Sequence, residues 1–211
     1  MKELKSLELD LTQQESIPQS GIDSAVRLMK SGKLHRYGEV GAKPSEVSLL
    51  EQEFANSLKA RYCIAMNSCG STMFVALRAA GVKPGDLVLS NCFTLAPVPG
   101  AIAHVGARPV LVDVTEDLTI DLEDLARKAS SSQARFLLLS HMRGHICDMQ
   151  ALIEICRTHG IRSSRTVRTP WVLPGQAGPQ VLGGLLVASV CRATSMPMVA
   201  KVVYWLPIMT T

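Results

Sequence analysis

The feature that most restricts the fold of this chain is an alternation of short apolar strands with helical patterns across residues 62–160. Each apolar run predicts a strand and is followed by a segment with helical spacing; the runs lie at 62–66, 87–89, 110–112 and 136–139. Short strands that are apolar on both faces and are joined by helices form right-handed βαβ units. The sequence therefore predicts an α/β protein with a mainly parallel sheet and flanking helices.

Helix boundaries are also readable. Apolar residues at helical spacing predict a first helix around 22–29 and a second around 47–58. Residues with side chains that can cap a helix precede three of the predicted helices, and these are Ser45, Asp121 and Asp148.

The regular pattern ends near Ile161. All 18 Asp and Glu residues lie at or before Glu154, and the four basic residues after Arg162 account for the formal net charge of +4. A soluble surface normally mixes both signs of charge, so the last part of the chain is not typical of a folded surface. We therefore expect the sheet to stop near this point. The chain divides into an N-terminal arm and helix at 1–44, a partial α/β domain at 45–161 and a tail at 162–211.

Composition argues against several classes of protein. The six cysteines have no CxxC spacing, which favours free thiols in a reducing compartment, and no metal site is predicted. The N-terminal residues lack the apolar segment of a signal peptide, and the longest apolar stretch, 181–191, is too short to span a bilayer. The basic excess comes from the tail rather than from a patch. These features predict a cytoplasmic protein that binds neither membrane nor nucleic acid.

Residues 67–71, Asn-Ser-Cys-Gly-Ser, lie between a predicted strand and a predicted helix. Backbone N–H groups and the helix dipole at such a junction favour an anion, and Gly70 permits close approach of a ligand. A tight turn without a ligand is the alternative, because the spacing matches neither a Walker A loop nor a GxGxxG motif. Cys69 is interpreted as a small buried thiol rather than a nucleophile, since no partner base stands at a triad-like spacing.

Two other segments follow predicted strands, where the ligands of α/β proteins bind. Phe93 follows the second strand and can either stack on a planar ring or simply pack against the protein. His141 and His145 follow the fourth strand and are either substrate contacts or solvated loop residues. These residues alone leave both interpretations open.

Several stretches have the order and spacing of a known family, at 50–55 (LEQEFA), 67–72 (NSCGST), 76–86 (ALRAAGVKPGD), 109–114 (PVLVDV), 141–144 (HMRG) and 147–149 (CDM). Together they resemble the N-terminal half of the DegT/DnrJ/StrS family of pyridoxal-phosphate-dependent sugar aminotransferases. The resemblance covers about residues 20–161, and the order of the stretches makes it specific.

The resemblance implies the large domain of the fold type I transferases, incomplete in this chain, with pyridoxal phosphate (PLP) as cofactor. In the family, the turn matching Gly70 and Ser71 holds the cofactor phosphate. An aromatic residue normally follows the threonine matching Thr94 and stacks on the pyridine ring; here that position is Leu95, and Phe93 precedes the threonine. The resemblance also implies a nucleotide-linked keto-sugar or cyclitol as substrate, an amino donor such as glutamate, and a homodimer.

The catalytic groups of the family are not readable in residues 162–211. Family enzymes need an Asp beside the pyridinium nitrogen, a nearby His and the Lys that forms the Schiff base. Lys201 is the only lysine in this segment, and it does not stand in the family's lysine motif. No catalytic residue is therefore predicted, and the chain is expected to be inactive. The alternatives are a non-catalytic regulatory remnant and a phosphate- or nucleotide-binding α/β module.

A shift of reading frame near residues 161–163 accounts for the missing groups. Suitable codons for 163–174, read from the third base of the first codon, encode a string that contains Glu-Asp-x-Ala-His, the family's aspartate motif. The same shifted frame turns 190–204 into a segment that resembles the family's lysine motif. We hypothesise that residues 162–211 are translated out of frame, which also explains their lack of acidic residues.

Overall fold

A computed structural model describes residues 16–35, 44–57, 62–142, 145–167, 186–190 and 201–204 of the chain. The helices are α1 Gln19–Ser31, α2 Glu46–Ser57, α3 Cys69–Ala79, α4 Pro97–His104, α5 Leu122–Ser131 and α6 Met149–Thr158. The strands are β1 Ala65–Met66, β2 Leu87–Asn91, β3 Arg108–Val112, β4 Phe136–His141, β5 Arg162–Val167, β6 Leu186–Val190 and β7 Lys201–Tyr204. Strands and helices alternate from β1 to α6, as the sequence predicts.

The described strands form one seven-stranded sheet in the order β1-β7-β6-β5-β4-β2-β3. The neighbours from β6 to β3 are parallel, and β7 is antiparallel to both β6 and β1. The predicted fold class, a mainly parallel sheet with flanking helices, is confirmed. Because the direction reverses at β7 and again at β1, β1 runs parallel to the central strands and its carboxyl end lies at the same edge of the sheet as theirs.

The expectation that the sheet stops near residue 161 is wrong for the described backbone. β5 pairs with β4 from Phe136↔Arg162 to His141↔Val167, and β6 and β7 continue the sheet. The expectation relied on side-chain periodicity, whereas a parallel strand requires only an extended backbone and a partner to bond. The valines in these strands favour that conformation. The domain boundary at 162 stays a prediction.

Two apolar cores lie on opposite faces of the sheet. The core under α5 and α6 includes Leu89, Val112, Leu125, Leu137 and Leu152. The core under α3 and α4 includes Met73, Leu77, Val88, Ile102 and Leu138. Adjacent residues of one strand contribute to opposite cores, as the two-residue period of a strand requires. The central strands are therefore covered on both faces, which is the usual environment of a parallel sheet.

Side chains cap the starts of three helices. Asp121 and Asp148 accept hydrogen bonds from backbone N–H groups in the first turns of α5 and α6. Ser45 Oγ accepts from the Ser48 N–H at 3.2 Å at the start of α2. The three predicted N-caps are confirmed, and each cap of this kind contributes about 1 kcal/mol to helix stability.

Helix α1 carries an apolar stripe that lies on the surface. Ile22, Val26 and Met29 recur at the predicted helical spacing, and each is at least 38 % exposed. Arg27 lies 3.5 Å from Glu46 and joins α1 to α2 by a surface ion pair.

Within the part of the chain that the structure describes, no helix is both long and apolar enough to cross a membrane.

Asp124 on α5 is a buried carboxylate, with 2 % of its side chain exposed. Its Oδ2 accepts the Asp113 N–H and Lys128 Nζ, both at 2.7 Å, and its Oδ1 accepts from Arg127. Burial by itself raises the pKa of a carboxyl group, but the Lys128 hydrogen bond, then the Asp113 N–H and Arg127, hold the pKa of Asp124 at about 2. Asp124 therefore ties α5 to the end of β3.

Asp124 is expected to make the stability of the fold depend on pH. Because its pKa is lower in the folded chain than the ordinary 3.8, its contribution is fully present above about pH 4 and is lost as the pH falls towards about 2. Asp124→Asn should lower the free energy of unfolding at neutral pH by ~1–2 kcal/mol and flatten its dependence on pH in that window.

Urea unfolding at several pH values measures both effects. Asp117→Asn, which removes an exposed carboxylate from a nearby turn, is the matched control and should leave the profile close to that of the unaltered chain. An Asp124→Asn variant with the same acid profile as the unaltered chain would contradict the assignment.

Candidate functional site

The connections that follow the parallel strands leave the sheet at one edge. β1, β2 and β4 run in the same direction, so the segments that follow them, at 67–68, 92–96 and from 142 onwards, leave at their shared carboxyl edge. The chain passes from β2 outwards to β3 and then returns across β2 to β4, which reverses the direction of winding. Ligands of open α/β sheets bind at such a switch point, outside the carboxyl ends of the strands. This edge is the candidate site.

The start of α3 forms a turn suited to an anion. Ser68 is its N-cap: Ser68 Oγ accepts the Ser71 N–H at 3.0 Å and lies 2.8 Å from the Ser71 hydroxyl. Thr72 donates both its N–H and its hydroxyl to Ser68 O at 3.0 Å. The N–H of Gly70, at the second position of the helix, has no preceding helical carbonyl to bond. Together with the helix dipole, such a donor favours a negatively charged ligand.

The predicted loop 67–71 is shorter in the structure, because α3 begins at Cys69. The two predicted phosphate contacts, Gly70 and Ser71, therefore lie together in the first turn of the helix. Cys69 is half-buried rather than fully buried.

Gly70 is not required by the backbone or by neighbouring side chains. Its φ lies outside the left-handed region, and a Cβ added there would meet Ser68 Oγ at an ordinary 3.8 Å. Glycine within a helix is about 0.5–1 kcal/mol less favourable than alanine. A ligand that approaches the helix start gives a physical reason for glycine here, because a Cβ would occupy part of the ligand's space.

The Asn91 side chain bonds β2 to β4 beyond the point where the backbone hydrogen bonds between these two strands end. β2 pairs with β3 along its full length but with β4 only at 88–89. Beyond that point the Asn91 side chain takes over: Oδ1 accepts the Ser140 N–H at 2.9 Å, and Nδ2 donates to Ser140 O at 3.1 Å. Nδ2 also donates to Phe93 O at 2.8 Å. The amide, in a residue that is 1 % exposed, holds both strand ends and the following loop in one arrangement.

The two candidate ring-stacking residues lie in this loop and differ in exposure. Phe93 is half-buried, and Leu95 is 37 % exposed. Leu95 O accepts the Val98 N–H at 2.9 Å, so Leu95 lies at the entrance to α4. Both residues follow Asn91 at the switch point. Their contact with a cofactor ring stays a prediction.

Two buried hydroxyl groups near this loop have no hydrogen-bond partner within the described part of the chain. They are Ser90 Oγ, near the end of β2, and Thr94 Oγ1, in the loop itself. Leaving a buried hydroxyl unpaired costs about 1–3 kcal/mol. Groups of this kind call for an additional partner such as a ligand or an ordered water, so they fit a site that accepts a polar molecule.

The two candidate histidines are placed differently. His141 ends β4 and is 2 % exposed, whereas His145 lies on the surface. His145 is therefore solvated, whereas His141 is not a solvated loop residue and lies at the carboxyl edge of the sheet. The contact of either residue with a substrate stays a prediction. Residues 143 and 144 of the same motif lie outside the described residues.

A cavity of about 330 Å³ lies between α3 and α4 and reaches the same helix start. Gly70 and Ser71 line one part of it. Phe74 and His104 line another part, with ring centroids 4.7 Å apart in an edge-to-face arrangement. At Gly100 an added Cβ would meet no atom within 4 Å, so this wall is open. The first turn of α3 is therefore accessible from the groove between the two helices.

The chemistry of the candidate site is that of binding. It combines a backbone donor at a helix start, buried hydroxyl groups and an aromatic side chain, a set that suits an anionic group joined to a planar ring. Across the described ranges, no group of three or more His, Cys, Asp or Glu residues is placed to hold a metal ion.

Sequence reasoning missed Asn91. The signal was present, because a polar residue ends the otherwise largely apolar run of β2 at its carboxyl end. A polar residue at that position of a strand that is buried on both faces needs a partner, and the strand edge is where ligands bind.

Comparison with known proteins agrees with this geometry. The sequence profile of the DegT/DnrJ/EryC1/StrS aminotransferase family matches residues 18–162. The spore coat polysaccharide biosynthesis protein SpsC of Bacillus subtilis is 32 % identical over 121 residues, which are 57 % of this chain and 31 % of that protein. GDP-perosamine synthase of Vibrio cholerae is 29 % identical over 125 residues, 59 % of this chain and 34 % of that protein. The chain spans about a third of the length of these relatives.

A solved aminotransferase from Psychrobacter cryohalolentis superposes with a TM-score of 0.75 at 21 % identity, covering 92 % of this chain and 48 % of that one. At this identity the likeness concerns the fold, and it extends past residue 162, where the sequence match ends. The fold is that of the PLP-dependent aminotransferases. Within that class, the chain belongs to the DegT/DnrJ/EryC1/StrS aminotransferase family, whose members include sugar aminotransferases.

Proposed function

We propose that this chain binds the phosphate of PLP at the start of α3, as the cofactor-binding half of a sugar aminotransferase. The observation that carries the proposal is the first turn of α3. Ser68 organises this turn through its bonds to Ser71, Gly70 offers a backbone donor, and the helix dipole favours a phosphate. The absence of a side chain at Gly70 leaves room for the phosphate oxygens.

The loop after β2 holds the ring in this proposal. When bound, PLP supplies an electron sink for the transfer of an amino group. The residues of this chain bind and orient it: Phe93 or Leu95 lies against the ring face, and the buried hydroxyls of Ser90 and Thr94 are available for its polar groups or for a bridging water.

The amino acceptor is proposed to be a nucleotide-linked keto-sugar or a related cyclitol, with an amino acid such as glutamate as donor. Membership of the family supports this substrate class, and the relative named GDP-perosamine synthase supports a nucleotide-linked sugar. A homodimer and a cytoplasmic location belong to the same proposal.

We further infer that this chain lacks the catalytic lysine and is inactive by itself. Lys201, the only lysine after residue 162, lies on β7 opposite Met66 and Val190. The family match ends at Arg162, shortly after the last acidic residue, Glu154, and suitable codons for the following residues encode strings that resemble the family motifs in a shifted frame. An out-of-frame tail accounts for these observations together.

PLP is therefore expected to bind reversibly and without a covalent link to the chain. The chain is incubated with PLP, reduced with borohydride, freed of unbound ligand and weighed by intact mass spectrometry. We expect an unchanged mass, with pyridoxal lacking its phosphate as the control for random labelling of surface lysines. A gain of one phosphopyridoxyl group at a single lysine, with no matching gain from pyridoxal, would show a functional lysine and refute the inactivity.

The nucleotide sequence around codon 162 tests the frame shift separately. Codons that restore the family's aspartate and lysine motifs in the shifted frame are the expected result. Unrelated codons in that frame would refute the shift and leave PLP binding untouched.

A further inference from the structure

Asn91 occupies a place where a parallel sheet normally has backbone hydrogen bonds. Towards the carboxyl edge, β2 remains bonded to β3 and β4 remains bonded to β5, but the ladder between β2 and β4 ends after 89↔137. A primary amide carries an acceptor and two N–H donors in one plane, which equals a peptide unit with one additional donor. One acceptor and one donor of the Asn91 amide bond the backbone of Ser140, as a peptide unit would, and the additional donor bonds Phe93 O.

Other side chains of this size cannot make the same three bonds. Aspartate keeps the shape but loses both donors, and leucine, of similar volume, loses all three bonds. Glutamine adds a methylene group, which a position that is 1 % exposed accepts only by displacing its neighbours. Since burial leaves little water to replace a lost partner, each bond is costly to remove.

We infer that Asn91 is a positioning residue, which sets the loop carrying Phe93 and Leu95 against the ring of the cofactor. The inference rests on the proposed function. Asn91 does not contact the ring itself. It affects the ring by holding the Phe93 carbonyl and the ends of β2 and β4 in place, whereas the phosphate is assigned to the start of α3, which follows β1. Asn91 therefore acts on the binding of the ring and not on the binding of the phosphate.

PLP and inorganic phosphate separate these two parts of the site. Asn91→Asp places a carboxylate opposite two carbonyl oxygens, so its Kd for PLP should rise at least about tenfold. Its Kd for inorganic phosphate should stay within about twofold of the unaltered chain, since the α3 turn is untouched. Isothermal titration calorimetry measures both constants, and circular dichroism checks that the variant is folded.

Ser140→Ala is the matched control. It changes the residue that Asn91 bonds but keeps the backbone N–H and carbonyl that make those bonds, so both constants should stay within about twofold of the unaltered chain. The PLP affinity of Asn91→Asp at lower pH distinguishes the loss of these hydrogen bonds from general damage to the fold. The new carboxyl group of the Asn91→Asp variant regains one donor when it is protonated, so the variant's deficit in PLP affinity relative to the unaltered chain should shrink.

If Asn91→Asp does not fold, hydrogen exchange on the unaltered chain tests the positioning role of Asn91 instead. PLP should slow exchange at the Ser140 amide and in residues 92–95, and inorganic phosphate should not. Equal slowing by both ligands, or slowing by neither, would overturn the inference, as would a folded Asn91→Asp variant with unchanged PLP affinity. An unaltered chain that binds neither PLP nor phosphate contradicts the proposed function as well, so the two failures are distinguishable.

Discussion

A carboxylate at position 70 is expected to weaken cofactor binding strongly while leaving the fold intact. Gly70→Asp puts a negative charge at the helix start to which the phosphate is assigned, and like charges at short range repel. The same carboxylate stabilises the free helix by about 0.3–1 kcal/mol through the helix dipole, and it reduces the cost of a helical glycine. The variant should therefore unfold at a higher urea concentration than the unaltered chain. It should bind PLP at least about 100-fold more weakly, a loss of about 3 kcal/mol.

Two alanine substitutions control for the loss of a glycine. Gly70→Ala and Gly100→Ala both fill a helical position beside the same cavity, and each should raise the free energy of unfolding by about 0.5–1 kcal/mol. Only Gly70→Ala should weaken PLP binding, because only its Cβ lies at the start of α3. Calorimetric titration with PLP and urea unfolding measure the two effects. A Gly70→Asp variant that binds PLP like the unaltered chain would place the phosphate elsewhere.

The order of helices and strands from β1 to α6 is predictable from the sequence because each element carries its own local signal. Asp121 and Asp148 mark helix starts through bonds that reach only two or three residues along the chain. Gly106 marks a helix end by its positive φ, which glycine adopts without strain. Because these interactions join residues that are close in sequence, hydrophobic periodicity and turn-forming residues are enough to predict them.

The strands after residue 161 are not predictable in the same way, because their evidence lies in distant parts of the chain. β5 pairs with β4 over six residue pairs, and Arg162 Nη1 donates to Ala80 O, 82 residues away, at 3.0 Å. A segment with few periodic side chains can still complete a sheet when the neighbouring strand offers free donors and acceptors. Local pattern therefore underestimates the extent of the sheet.

The residues of the candidate site also differ in whether the local sequence predicts their role. Gly70 and Ser71 are predictable because a strand, a short turn and a helix start follow one another directly in the sequence. The role of Asn91 depends on Ser140, 49 residues away, and only the strand order brings these two residues together. The sequence also cannot choose between Phe93 and Leu95, since the choice depends on how the loop leaves the separated ends of β2 and β4.

Truncation of Leu137 at the centre of the sheet is expected to destabilise the chain strongly. Leu137 is fully buried on β4, between β2 and β5, and packs in the core that contains Leu89 and Leu152. Leu137→Ala removes apolar contacts and leaves a cavity that the surrounding strands cannot fill, at a cost of about 2–5 kcal/mol. Because a domain of ordinary stability has only about 5–15 kcal/mol in total, urea unfolding should show a large shift of the midpoint to lower concentration.

Leu111→Ala on β3 is the matched control for Leu137→Ala. Leu111 also lies in a strand but is 49 % exposed, so its truncation should cost less than about 1 kcal/mol. The comparison also tests whether β4 lies inside the sheet. If β5 did not cover it, Leu137 would lie at an open edge, where water and neighbouring side chains can fill the space left by truncation. A loss for Leu137→Ala as small as that for Leu111→Ala would therefore contradict the pairing of β4 with β5.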